Sequence, residues 1–484
     1  MIEVTQEENI SIKYTAPLIP TIIMIAVTNF AAMMNTTSVT ILLPVFMHTF
    51  HTDIILTQWV VTAYMLATCI VAPIVGYISD RISLKRAFIA ALIGFTICNI
   101  LLGMAGSIYM VIAMRVIQGI FGGMLMPITQ SMIYQYFPRN QQAQAVSIWA
   151  TTNLLAPTLA PSIAGAISDV LSWRWIFYVT VPILIAVVLV ALKLLPSRPA
   201  AEKPEQHAFD FTGLILSMVG SLSLLMAFSN ITVWGLTSAP VIGLTIVGLV
   251  TLAVFFYTES RKAHPMLQVK VFRYEGYLSS VVLMCIGSVF INASNNVIPI
   301  FLQDIRGFST TQAALMMLPA PLVIMFIVPL MGKYYDRIGP QKMLTAVLCV
   351  GVIACLVNGM IGLESSVIFI VIALILRDMG AGTFNMPATN MGMQAVPTEY
   401  STHAAAMTSW ARQCVVSLAI GLVNTFQTAR TKYYMSISES GVYNQCYADA
   451  MSDLFHIIIA CYLVGFIAVY FSKSRKTYCI KEVK

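Results

Sequence analysis

Charge is scarce in this sequence: 10% of its 484 residues are Asp, Glu, Lys or Arg, against about a quarter in soluble domains. A surface that faces water on all sides cannot be built from so few. No Gly-x4-Gly-Lys-Ser/Thr run occurs, and no polar link is long enough to hold a nucleotide-binding domain. The chain is therefore no primary pump, unless ATPase subunits are separate chains. Nine cysteines, an odd number, lie mostly in apolar stretches at no metal-ligand spacing, which implies neither a disulfide framework nor a zinc centre. The six histidines fall in links or near the ends of apolar stretches. No His, Cys or Ser constellation sits at a helix mouth, so an enzyme is not expected. Residues 1–16 set Glu3, Glu7 and Glu8 against a single Lys13, so no signal peptide is expected and the first span should remain.

What the sequence has in quantity is hydrophobic residues, 58% of the chain. A bilayer core takes roughly 20 apolar residues per helical span, and such runs recur near 19–45, 56–78, 87–105, 108–134, 142–168 and 174–195. Two more follow at 211–233 and 240–258. A last six lie at 276–301, 312–334, 342–361, 367–392, 402–427 and 454–472. The expectation is an all-α integral membrane protein with fourteen transmembrane helices. Cytoplasmic loops retain Lys and Arg, and with both termini inside, twenty of the 27 basic residues fall in cytoplasmic segments and four outside. The net charge of +7 thus reads as a topology signal, spread over many loops, and no nucleic-acid partner is expected.

Sliding the chain by 256 residues lays Gly76-Tyr-Ile-Ser-Asp80-Arg81-Ile-Ser-Leu-Lys-Arg86 on Gly332-Lys-Tyr-Tyr-Asp336-Arg337-Ile-Gly-Pro-Gln-Lys342. Nearly the same offset sets Asn35-Thr36-Thr37 against Asn292, Asn295 and Asn296, and Arg115-x-x-Gln118 near Arg377-Asp378. The plan is a six-helix half at 19–195 and a link with two inserted helices at 196–259. A cytoplasmic link at 260–275 leads to a second half at 276–472, with cytoplasmic ends at 1–18 and 473–484.

Three arginines, Arg115, Arg377 and Arg412, and one acid, Asp378, fall inside predicted spans. Such groups are costly unless they meet a wet cavity or a partner, which makes them site candidates. The plainer readings are that Arg115 satisfies carbonyls at a kink and that Arg377 and Asp378 only pair with each other. In the fifth span Ala156-Pro157, Ala160-Pro161 and Gly165 repeat every four residues, placing small residues and helix breaks on one face. Of the 29 methionines, most read as packing or lipid-facing; Met124, Met126, Met386, Met391 and Met393 lie in motif-bearing helices and are the pocket candidates.

Two six-helix halves with a duplicated Gly-x3-Asp-Arg loop resemble the major facilitator superfamily, whose halves are parallel repeats with substrate bound between them. Over residues 30–430 the chain is similar to that family's 14-spanner drug:proton antiporter branch. Trp59-Val-Val-Thr-Ala-Tyr64, Trp173-Arg174-Trp175-Ile-Phe177, Val181-Pro182, Gln303, Pro319 and Arg412-Gln413 match its stations. The resemblance implies a major facilitator fold and export by alternating access. It also implies that Arg115 couples protonation to rocking. In the loops Gly76 can let two helices approach, while Asp80 can cap the next helix and pair with Arg81 or Arg86. These residues, with Gly332, Asp336 and Arg337, are therefore candidate gating loops; the plainer reading is topogenic charge and a tight turn. The span-5 face of Pro157, Pro161 and Gly165 is the antiporter-type helix, although Ala156 stands where the family has Gly.

Asn35 is the most informative departure, because the branch carries an acid there and an amide neither attracts cationic drugs nor holds a proton. Either coupling rests elsewhere, with Asp378 the leading spare, or the substrates are neutral or anionic. The expected protein is a multidrug exporter of the bacterial plasma membrane, with small-molecule substrates, membrane lipids as its other partners, and no cofactor beyond a proton gradient. Whether it acts as a monomer or with accessory export subunits stays open. So do two rivals: an exporter or flippase of an endogenous anionic metabolite or lipid, and a substrate sensor that keeps the fold without transport.

Overall fold

A computed structural model describes residues 17–71, 74–196, 210–262, 265, 267–274, 276–437 and 443–472. The expected tails and most of the 196–210 link lie outside the described residues. In chain order the helices are α1 (Leu18–Ile41), α2 (Leu43–Phe50), α3 (Ile54–Val71), α4 (Ile74–Ile82), α5 (Leu84–Gly103), α6 (Ile108–Tyr136) and α7 (Arg139–Val170). Next come α8 (Arg174–Tyr178), α9 (Thr180–Leu194), α10 (Phe211–Ser229), α11 (Ile231–Trp234) and α12 (Ala239–Arg261). The last are α13 (Tyr277–Ile300), α14 (Thr310–Met317), α15 (Pro319–Ile338), α16 (Pro340–Gly359), α17 (Val367–Ala381), α18 (Asn385–Gln394), α19 (Ser401–Ile437) and α20 (Tyr443–Ser472). No strand occurs among the described residues.

Twelve helices among the described residues are long and apolar enough to cross a membrane. The two remaining hydropathic stretches are helical as well but fall short of that measure. One is α3, an 18-residue helix that is apolar over Leu56–Val71 and is followed by α4; the other is α7, 32 residues long and rich in Asn, Gln, Ser and Thr. Polar side chains lower the apolar average of α7 without stopping the helix, because intrahelical bonds satisfy its backbone inside a bilayer. The molecule is a multi-pass membrane protein.

Short polar caps begin several helices. The Ser107 hydroxyl accepts from Met110 N–H at 3.2 Å to start α6, and Ser309 with Gln312 forms a reciprocal capping box on α14. The turns into α5 and α16 rest on Ser83 and Gly339, both with positive φ (66° and 83°).

Contacts divide the chain into two compact units. The first holds the chain up to Leu222 with Val250–Val271 and Val396–Trp410. Within it α1 packs on α7, and α3 and α5 pack on α6. At Gly119 an added Cβ would stand 2.6 Å from the Tyr64 backbone carbonyl oxygen, so only glycine lets α6 reach α3 there. Trp173 seals one end of this unit, edge-on to Phe46 with ring centroids 5.0 Å apart, while Arg174 lies over the Trp173 ring and donates to the Ala105 carbonyl at 3.1 Å.

The second unit holds Ser223–Leu249, Phe272–Ala395 and the chain from Ala411. Its core is aromatic: Phe290, Phe384, Phe455 and Tyr462 interlock edge to face. Gly380 lets α17 lie against α16, an added Cβ falling 2.5 Å from Gly351 Cα.

Candidate functional site

Arg115 is fully buried in the first unit. Its Nε donates to the Val60 carbonyl (3.0 Å) and its Nη1 to Gln118 Oε1 (2.7 Å), and the guanidinium lies 4.1 Å over the Tyr64 ring. Gln118 passes the network on, donating to Asn99 Oδ1 at 2.9 Å. The i, i+3 spacing on α6 joins Arg115 to Gln118 as the sequence suggests. The other partners of Arg115, a carbonyl and a π face, come from α3, while α5 supplies the amide that Gln118 meets. Among the described residues Arg115 Nη2 and Asn99 Nδ2 have no hydrogen-bond partner. No carboxylate is among these contacts of the buried guanidinium.

Asn35 is also fully buried. Its amide donates to the Ala31 carbonyl (3.0 Å) and to Thr180 Oγ1 at the start of α9 (3.4 Å), and its Oδ1 has no partner among the described residues. Thr36 and Thr37 bond back to the carbonyls of Ala32 and Met33 at 3.0 Å. No hydrogen bond joins Asn35 to Arg115 or Gln118 among the described residues. A separate polar chain, Asn29 on α1, Thr129 on α6 and Trp149 on α7, ties those three helices at 3.2 and 3.3 Å. Along α7 the alanines Ala156, Ala160 and Ala164 form the buried stripe. Pro157 is half-buried, and a Cβ added at Gly165 would meet nothing within 4 Å. The side chain of Pro161 lies outside the described residues.

Gly76 is buried on α4, and a Cβ added there would overlap the ring of His403 on α19. His403 Nδ1 in turn accepts from Gln268 N–H at 3.4 Å. Beside it, Ser131 and Gln135 on α6 interlock with Ser401 and Thr402: Ser131 Oγ lies 2.8 and 2.7 Å from the two hydroxyls, and Gln135 Nε2 donates to Ser401 at 3.0 Å. Arg81 lies 4.7 Å over the Tyr77 ring, Arg86 is exposed, and the Asp80 side chain lies outside the described residues. In the second copy Gly332 is buried, whereas Asp336 and Arg337 are exposed.

The second unit brings together three of the predicted polar residues. Arg377 Nε donates to Asp378 Oδ1 at 2.7 Å, its Nη2 approaches the same oxygen at 2.7 Å, and its Nη1 donates to Asn295 Oδ1 at 3.1 Å. The two charged side chains are 4% and 8% exposed, so this is a buried ion pair within α17. Asn292 bonds back to the Ser288 carbonyl at 2.8 Å, Asn296 is half-buried, and Arg412 on α19 is half-buried near Cys285.

A second charged cluster escaped the sequence reading. Lys262 pairs with Asp210 and with Glu259 Oε1 (2.7 Å), while Glu259 Oε2 accepts from Leu267 N–H (3.1 Å) and Asp210 Oδ1 from Gly213 N–H (2.9 Å). Burial alone would raise the Asp210 carboxyl, but hydrogen bonds with Glu259, Lys262 and Gly213 outweigh it and hold it below its usual range. Burial would likewise lower the Lys262 ammonium, yet its bonds to both carboxylates push it above its usual range.

Helices that cross a membrane, a duplicated turn and buried intramembrane arginines define a polytopic transporter. A family model described as Major Facilitator Superfamily matches residues 25–421. The chain belongs to that family and is a transporter, not an enzyme. It is 24% identical to the multidrug export protein EmrB of Escherichia coli K12, over 88% of this chain and 83% of that one. It is 25% identical to the lincomycin resistance protein LmrB of Listeria monocytogenes, over 95% and 97% respectively. Among solved structures the human organic anion transporter MFSD10 shares the fold with a TM-score of 0.65 and 14% identity, over 94% of this chain and 99% of that one.

Proposed function

We propose that this chain is a secondary exporter of drugs and other amphipathic compounds in a bacterial plasma membrane. In this reading it crosses the bilayer fourteen times with both termini in the cytoplasm and works by alternating access in exchange for protons. The observation that carries it is similarity along nearly the whole chain to two proteins named for multidrug export and lincomycin resistance. Proton coupling is supported by Asp378. With Asn35 in place of the family's acid, Asp378 is the carboxylate left within a predicted span. Protonating it would weaken its pair with Arg377 and release Nε and Nη2 while Nη1 stays on Asn295 and Ser294, a change in bonding that a two-state transporter can use. No cofactor enters this scheme, and the small-molecule substrate and surrounding lipid are the partners it requires.

A second reading, export of an endogenous anionic metabolite or lipid, is favoured by Arg115, whose contacts among the described residues include no carboxylate. One experiment separates these readings: proteoliposomes with a pH-reporting dye inside, challenged with matched cationic, neutral and anionic compounds. Proton movement driven by cationic or neutral amphipaths is the expected result. Flux restricted to anions would favour the second reading, and binding without flux would overturn both in favour of a sensor.

A further inference from the structure

Three helix ends of the second unit meet at an open groove of about 860 Å³: the last residue of α15, the first two turns of α16 and the last two turns of α20. Ile338, Ala346, Phe466, Tyr470 and Phe471 form its apolar wall, and Tyr470 and Phe471 are 72% and 69% exposed beside it. Its other polar lining comes from the start of α16, where Gln341, Lys342 and Thr345 project. Lys342 is exposed there, and the last turns of α15 add exposed Lys333 and Arg337 against a single acid, Asp336. The sequence beyond α20 continues with Lys473, Arg475 and Lys476.

We propose that this groove holds one glycerophospholipid with an anionic headgroup, its phosphate on Lys342 and an acyl chain along the aromatic wall of α20. The helix ends fix the depth. The end of α15 and the start of α16 mark the polar boundary of the bilayer, where headgroups lie and where aromatic side chains gather. Charge fixes the class of lipid: a basic pocket between helix ends suits a headgroup with net negative charge. A zwitterionic lipid would bring its own ammonium toward Lys342, cancelling most of that attraction. Shape fixes the rest, because the wall beyond Lys342 is apolar and opens sideways along exposed Tyr470 and Phe471, as an acyl chain needs and a compact polar solute does not. This site is independent of what the protein exports.

The test uses the full chain in neutral detergent, offered equimolar phosphatidylglycerol and phosphatidylcholine of the same acyl composition, with retained lipid counted by native mass spectrometry. Phosphatidylglycerol should be retained preferentially. Lys342→Glu should cut that retention at least fivefold. Ala346→Trp, which obstructs the apolar wall and leaves every charge in place, should do the same, and Lys432→Glu, far along the sequence on α19, should not. Lipid-free melting of each variant confirms that it folds. Equal retention of the two lipids, or undiminished phosphatidylglycerol on both groove variants, would overturn the assignment.

Discussion

Ser83 and Gly339 stand 256 positions apart and hold the same left-handed backbone, φ 66° and ψ 149° in the first copy and φ 83° and ψ 151° in the second. Each ends the duplicated Gly-x3-Asp-Arg segment and turns the chain into the next helix. The second copy meets this geometry with glycine, while the first forces a serine into a region that is almost glycine-only. Ser83→Gly should therefore raise the melting temperature, by an amount equivalent to about 1 kcal/mol, and leave transport intact. A lower melting temperature would show that the serine side chain contributes more than its backbone costs.

Gly76→Ala should destabilise by about 1–3 kcal/mol, the usual penalty for overpacking, because its methyl group overlaps the His403 ring. Adding His403→Ala should recover part of the loss, which a double-mutant cycle on thermal unfolding reads as coupling between the two positions. Strict additivity would contradict the contact.

Arg115→Lys should fold yet transport at least roughly tenfold less, since an ammonium cannot bond Val60 and Gln118 while lying flat on Tyr64 as a guanidinium does. Initial efflux rates from vesicles, normalised to protein, supply the measurement. Undiminished efflux would reduce Arg115 to a carbonyl-satisfying group.

Asp378→Asn should abolish the dependence of efflux on an imposed pH gradient while leaving compound binding measurable. Leaving Arg377 unpaired and buried should also cost stability, about 3–5 kcal/mol for such pairs. Gradient-driven efflux that survives in the variant would place the coupling proton elsewhere.

The Asp210–Lys262 tie predicts a defined stability window. A carboxyl held below its usual range contributes stability that disappears as pH falls through its folded-state value, and an ammonium held above its range contributes stability lost as pH rises through its own. Melting of the purified protein should thus have a contribution that is full between roughly pH 4 and pH 10 and fades outside it. Lys262→Met should lower the plateau and flatten the alkaline limb. An unchanged pH profile would mean that the cluster is not closed in solution.

The helices were legible because length and hydropathy suffice to mark a span. Which face of a helix packs was not, since in lipid both faces are apolar and the amphipathic signal that orients a soluble helix is missing. Hydropathy also smooths over α7, where polar side chains hold the helix below the apolar average of the twelve clear spans. Arg115 with Gln118, and Arg377 with Asp378, were readable from local spacing. Asn99, Tyr64 and Thr180 were not, because they reach their partners from other helices. His403 and the Ser131, Ser401 and Thr402 knot left no sequence signal at all: Ser and Thr at a helix start look like caps, and the partners lie some 270 residues apart. The duplicated turn was legible as a motif, and its shared positive-φ backbone only in three dimensions.

The Arg115 network also bears on how the chain enters the membrane. Val60 and Tyr64, which hold Arg115, and Asn99, which holds Gln118, all precede it, so by the time the ribosome delivers α6 to the insertion machinery these partners have already been made. An arginine in the middle of a span resists partitioning into lipid on its own. Here it can be handed from the translocation channel to a carbonyl and a π face waiting on α3, and Gln118, arriving immediately behind it, can then close onto Asn99. Moving α6 ahead of α3 in a permuted gene would remove that order, leaving the cation to cross unaccompanied.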